Sequence, residues 1–142
     1  MLTSPLPLIV VLLSIVTLGV TGNLLSGSPV VIALQVVAVG LSVWARRSFP
    51  SNAFRVTAKP EGESVIRNGP YGFIRHPMHS AALLLIWTSV IGHPSVFTLV
   101  IACVASAVVI ARTVAEERLL RAGFHDYGDY AKSTKALVPY LF

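Results

Sequence analysis

The chain has 142 residues, 54% of them hydrophobic, with a mean hydropathy of +0.75 and a formal net charge of +5. Only 12% of the residues are charged, against about 25% in a soluble domain, and residues 1–45 and 76–111 hold no Asp, Glu, Lys or Arg at all. Charge-free tracts this long exclude an ordinary soluble enzyme, a disordered chain and a nucleic-acid module, and point to a small all-α polytopic membrane protein.

The first apolar segment covers residues 6–20. No Lys or Arg precedes Arg46, so the basic region of a secretory signal is missing, and the segment reads as a retained membrane helix. Thr21-Gly22-Asn23 and Ser26-Gly27-Ser28-Pro29 are loop chemistry. A second segment follows over residues 30–45, with Trp44 placed as an interface anchor. Both are short, since crossing the hydrocarbon core takes about 20 residues. Residues 1–45 therefore read as a two-span membrane anchor.

Residues 46–77 form a polar loop containing Pro50, Pro60, Gly62, Gly69, Pro70, Gly72 and Pro77. Long loops of this kind are often functional. The second charge-free tract breaks at Gly92-His93-Pro94, which predicts an antiparallel helical hairpin over residues 78–91 and 95–115. The fourth helix continues past its apolar part into the tail. There Phe124, Tyr127 and Tyr130 recur every third residue, so they share one helical face. With Lys132 and Lys135 they predict a short amphipathic helix seated on the membrane surface. Residues 78–142 thus read as a hairpin plus tail, in one domain with the rest.

Charge sets the orientation. Six Lys or Arg lie between Arg46 and Arg75, five lie from Arg112 onward, and the two intervening turns hold none. Four spans with both termini cytoplasmic place all of them on the positive side. The lone cysteine, Cys103, lies within an apolar helix and reads as a small packing residue. His93 reads as a solvated or interfacial histidine.

Two clusters carry possible chemistry. The first, Asn68 to His79, lies where the polar loop enters the third helix. Pro77 suits the first turn of that helix, which leaves Arg75 and His76 at its N-terminus. Free N–H groups and the helix dipole favour an anion there, and Arg75 adds a planar donor fork. The alternative is that Arg75 snorkels to lipid phosphates while His76 caps the helix. The second cluster runs from Arg112 to Arg121. Its carboxylates, Glu116 and Glu117, are costly near a bilayer unless paired. Arg112 with Glu116 and Glu117 with Arg121 are i,i+4 pairs, so a salt-bridged helix end is one reading. In the other, a glutamate turns toward Arg75 and His76, because the hairpin brings both edges to one membrane face. A metal site from His76, His79 and a glutamate has suitable residue types, but histidines beside helix starts are common and no metal is expected.

The run Gly69-Pro70-Tyr71-Gly72-Phe73-Ile74-Arg75-His76-Pro77-Met78-His79-Ser80-Ala81 resembles the GPYxxxRHPxYxG motif of membrane methyltransferases. Those are the isoprenylcysteine carboxyl methyltransferase and phospholipid methyltransferase families. Arg112 to Leu120 resembles their RxxxEExxL segment. Phe124 to Tyr130, with Leu137-Val138-Pro139 after it, resembles their aromatic tail. The likeness covers about residues 65–142. His79 stands where the motif usually has Tyr, and Ala81 where it usually has Gly.

The resemblance implies an S-adenosylmethionine-dependent methyltransferase with its cofactor at the cytoplasmic face. Tyr71, Arg75, His76, Pro77 and His79 would line the cofactor site, with Glu116 and Glu117 holding its polar groups. Glu117 would be the catalytic base where the acceptor needs one, with Arg112 beside it. The acceptor would be lipophilic or small and reach the site from the bilayer. Two rivals are a non-catalytic membrane relative of the family and a sterol-reductase-type NADPH enzyme. Against the reductase, Ala82 stands where its motif has an acidic residue. Eight Arg to three Lys, with abundant Ala, Val and Leu, lean toward a bacterial inner membrane. Four short spans bury little area, which makes a homodimer reasonable.

Overall fold

The computed structural model describes residues 5–48 and 66–138. Much of the predicted polar loop, with Pro50, Pro60 and Gly62, lies outside the described residues, as does Pro139. Among the described residues the fold is five α-helices and no strand: α1 (Leu6–Val20), α2 (Pro29–Ser48), α3 (Pro77–Gly92), α4 (Val96–Gly123) and α5 (Tyr127–Ser133). A single 3-10 turn, Gly69–Gly72, precedes α3.

The helix ends follow from local chemistry. α1 closes with Gly22 in the left-handed region (φ 73), while the Asn23 and Leu24 N–H groups donate to the Leu18 carbonyl. α2 and α3 both begin on proline, whose missing N–H costs nothing in a first turn. α4 opens with a capping box: Ser95 Oγ accepts from the Thr98 N–H, and Thr98 Oγ1 accepts from the Ser95 N–H. His93 is not simply solvated, since its Nε2 donates to the Leu25 carbonyl at 2.6 Å. That bond ties the α3–α4 turn to the α1–α2 loop.

α3 packs along α2 on one side and α4 on the other, and α1 closes against α4 and α3. The α3–α4 pair is antiparallel, with His79 opposite Thr113 and Trp87 opposite Ser106. Small and hydroxylated residues share the interior with a few large aliphatics: Ala102, Ala105, Thr88, Ser89 and Thr98 are fully buried, as are Leu18, Ile86 and Val31. Large aliphatics such as Leu12, Leu13, Val36, Val100 and Val104 face outward. A water-soluble domain does the reverse with its large apolar groups, and so broad an apolar exterior suits a lipid surround. α2 and α4, with 20 and 28 residues, are long and apolar enough to cross a membrane, while α1 and α3 are shorter apolar helices. The 16 residues of α3 reach about 24 Å.

One expectation is corrected by the tail. Phe124, Tyr127 and Tyr130 do not form one membrane-facing stripe. Phe124 ends α4 in an extended conformation, and Tyr127 and Tyr130 on α5 are buried in the protein. Aromatic spacing marks a shared face but does not say whether lipid or protein covers it. After α5 the chain returns to the start of α3. Ile74 and Lys135 form a parallel bridge, and the Arg75 and His76 N–H groups donate to the Lys135 and Ala136 carbonyls at 2.7 and 3.0 Å.

Candidate active site

The hairpin end opposite its turn carries the charged cluster. Pro77 starts α3 and leaves His76 just ahead of it, with the returning tail pinning the backbone of residues 73–76. From α4, Arg112, Glu116 and Glu117 point at this junction. Glu117 Oε1 accepts from Arg75 Nε at 2.7 Å, His76 Nε2 at 3.0 Å and Tyr127 Oη at 2.7 Å. Burial opposes the charge on Glu117, but the bonds from His76, Arg75 and Tyr127 outweigh it, favour the ionised carboxylate and hold it in place. Glu116 Oε2 lies 3.3 Å from His76 Nδ1, and Glu116 Oε1 accepts from Arg112 Nε at 2.7 Å. Both i,i+4 pairs form, since Arg121 also approaches Glu117 at 3.7 Å. The paired helix end and the convergence with Arg75 and His76 therefore occur together.

Arg75 is a clamp as much as a donor fork. Its Nε holds Glu117, and its Nη1 donates to the Ala131 and Thr134 carbonyls. It thus joins α3, α4 and the tail instead of reaching out to lipid. His79 stacks on His76 with ring centroids 5.4 Å apart and planes 6° from parallel, and its Nδ1 meets Thr113 Oγ1 at 3.1 Å. Tyr71 is buried, and its carbonyl accepts from Tyr130 Oη. Gly69 is required where it stands: φ is +59, and a Cβ there would lie 2.1 Å from Ser48 Oγ and 3.1 Å from Trp44 Nε1. That close approach docks the motif onto the end of α2.

Electrostatics keep the cluster polarised. Burial alone would lower the His76 pKa, but hydrogen bonds and attraction to Glu116 and Glu117 outweigh it, and the net shift is upward from 6.5. Burial pushes the Tyr71 and Tyr130 phenols up to about 12. Burial, then the bond to Glu117, raises Tyr127 further. All three phenols stay protonated. Next to the cluster lies an open cleft of 410 Å³ between α4 and the returning tail, lined by Arg75, Thr113, Val114, Glu117, Thr134 and Lys135 among others. Its volume falls in the usual range for small-molecule sites, about 300–1,000 Å³.

Arg75, His76, His79, Arg112, Glu116 and Glu117 thus meet in one network, with Pro77 setting the helix start and Tyr71 alongside. Sequence reasoning missed Thr113, Tyr127, Tyr130 and Thr134. The aromatic spacing and the likeness to the family's aromatic tail both marked Tyr127 and Tyr130, but the spacing had pointed to the membrane.

A family model described as phospholipid methyltransferase matches residues 29–127. The chain belongs to the phospholipid methyltransferase family. The matched stretch runs from the start of α2 to the first residue of α5, so it contains both edges of the charged cluster. No curated protein and no solved structure matches the chain.

Proposed function

We propose that the chain is an integral membrane methyltransferase that uses S-adenosylmethionine to methylate a lipophilic or small membrane-accessible acceptor. The observation that carries this is the meeting of Arg75-His76 with Glu116-Glu117 at one end of the hairpin, 2.7 to 3.3 Å apart. The donor set suits the cofactor. Carboxylates fit its ammonium group and ribose hydroxyls, the Arg75 side of the cleft fits its carboxylate, and the adjoining cleft has room for it. When bound, the cofactor supplies an electrophilic methyl on sulfonium.

The chain's own residues then have distinct tasks. Glu116 and Glu117 bind polar groups. His76, held between them, fixes their separation. Arg75 and Tyr127 anchor Glu117 so that its geometry does not relax on binding. Transfer of a methyl group depends mainly on alignment and exclusion of water, which a rigid network beneath a protein tail provides. Glu117 is the base for acceptors that must lose a proton. Val114, 40% exposed on the apolar side of the cleft, offers an entry from lipid. α1 to α4 cross the bacterial inner membrane as four spans, with this site and both termini on the cytoplasmic side.

Calorimetric titration of the detergent-purified full chain with S-adenosylmethionine and, separately, NADPH tests the reading. Saturable binding of the first is expected, with loss in His76→Ala and Glu117→Gln. A folded wild-type sample that binds neither, or only NADPH, overturns it.

A further inference from the structure

We propose that His76, His79 and Glu116 form a binding site for one divalent transition-metal ion of the zinc class. The three residues each bring one ligand atom, and those atoms lie within 4.8 Å of one another. Two imidazoles and one carboxylate are a common zinc ligand set, with a fourth position left to water or another ligand.

The orientation of the rings carries the argument further than proximity does. His76 Nε2 donates to Glu117 Oε1 at 3.0 Å, which turns Nδ1 toward Glu116 Oε2 at 3.3 Å. His79 meets Thr113 Oγ1 through Nδ1 at 3.1 Å, which turns Nε2 toward the same Glu116 oxygen at 4.0 Å. Glu116 Oε1 is held by Arg112 Nε at 2.7 Å, so Oε2 is the oxygen presented to both rings. Each prospective ligand therefore has its second atom fixed by an outer partner: Glu117, Thr113 and Arg112 in turn. Metal-binding histidines are oriented in this way, by a carboxylate or oxygen acceptor on the far nitrogen.

The three ligand atoms span up to 4.8 Å, so the cluster must contract around an ion. Bonds of about 2.0–2.1 Å in a tetrahedral site put neighbouring ligand atoms about 3.3 Å apart. The His76–Glu116 edge is at that length. The His79–Glu116 edge, at 4.0 Å, closes by a modest rotation of the His79 ring. His79 has 22% of its side chain exposed, which provides the route of entry. Coordination replaces the proton that His76 Nδ1 otherwise shares with Glu116, so one proton leaves as the ion binds. The sequence alone had set this cluster aside, because histidines beside helix starts are common; the orientation of the ring nitrogens is what the structure adds.

The test uses the full chain in detergent, stripped with a chelator and titrated with Zn²⁺ in the absence of S-adenosylmethionine. It therefore stands or fails separately from the methyltransferase reading. One ion per chain is expected to bind, with saturable binding lost in His79→Phe. Thr113→Val, which removes only the outer partner, is expected to weaken binding about 10- to 100-fold. Co²⁺ in place of Zn²⁺ should give the intense d–d absorption of a four-coordinate ion. Circular dichroism and thermal melting establish that the variants are folded, and the Co²⁺ spectrum of the wild type carries the test if His79→Phe is not. Unchanged Zn²⁺ affinity in folded His79→Phe, no saturable binding by the wild type, or the faint spectrum of hydrated Co²⁺ would each overturn the proposal.

Discussion

Replacing Glu117 by Ala removes the acceptor shared by Arg75, His76 and Tyr127. Deleting one partner of a buried ion pair costs about 3–5 kcal/mol, because the other charge is left without compensation. Here the lower end applies. Arg75 keeps the Ala131 and Thr134 carbonyls, and His76 keeps Glu116. The expected loss is therefore about 3 kcal/mol. Glu117→Gln keeps the shape and one acceptor oxygen but removes the anion, so the cationic Arg75 donates to a neutral amide, an expected loss of about 1–2 kcal/mol. Tyr127→Phe removes a single donor to Glu117 and keeps the buried ring. Combined with Glu117→Gln in a double-mutant cycle, it should show a coupling above about 0.5 kcal/mol. The assay is equilibrium unfolding of the detergent-solubilised chain, followed by circular dichroism under conditions of reversibility. A Glu117→Ala variant within about 0.5 kcal/mol of wild type, the range of ordinary surface substitutions, would refute the claim that one carboxylate ties α3, α4 and the tail together.

Gly69→Ala should destabilise by about 2–4 kcal/mol in the same assay, from a left-handed backbone and contact with Ser48 and Trp44. Gly27→Ala, where an added Cβ meets nothing within 4 Å, is the control expected to be near neutral. Ser95→Ala breaks the α4 capping box and should cost about 1 kcal/mol, again read by unfolding. For the four-span topology, a cysteine at Gly27 in a Cys103→Ser background should react with a membrane-impermeant thiol reagent added outside intact cells. A cysteine at the exposed Lys132 should react only after permeabilisation, and the opposite pattern would invert the orientation.

Much of the fold was legible because membrane helices are bounded by abrupt chemistry. The apolar helix expected at residues 6–20 coincides with α1, and the other helices differ by a few residues at their ends, α4 running on into its charged part. Pro29, Pro77 and the Gly92–Ser95 turn mark their own places, and α4 continues through its charged end as expected. The meeting of Arg75-His76 with Glu116-Glu117 follows from an antiparallel hairpin with a tight turn, which spacing alone can indicate. The tail could not be read this way. The pairing of residues 73–76 with 135–136 is a long-range backbone contact with no local signature. Tyr127 and Tyr130 follow a period that serves a lipid face and a protein face equally well. Which nitrogen of each histidine faces Glu116 depends on Thr113 and Glu117, more than thirty residues away in the chain.

The central claim is that the two edges where charge resumes around the second apolar tract form one cofactor site. Hydrogen-exchange mass spectrometry of the full chain with and without S-adenosylmethionine tests it most directly. Slowed exchange in peptides spanning both residues 69–80 and 112–120, with α1 unaffected, is the predicted result. Protection of only one of those segments, or of neither at saturating cofactor, would contradict it.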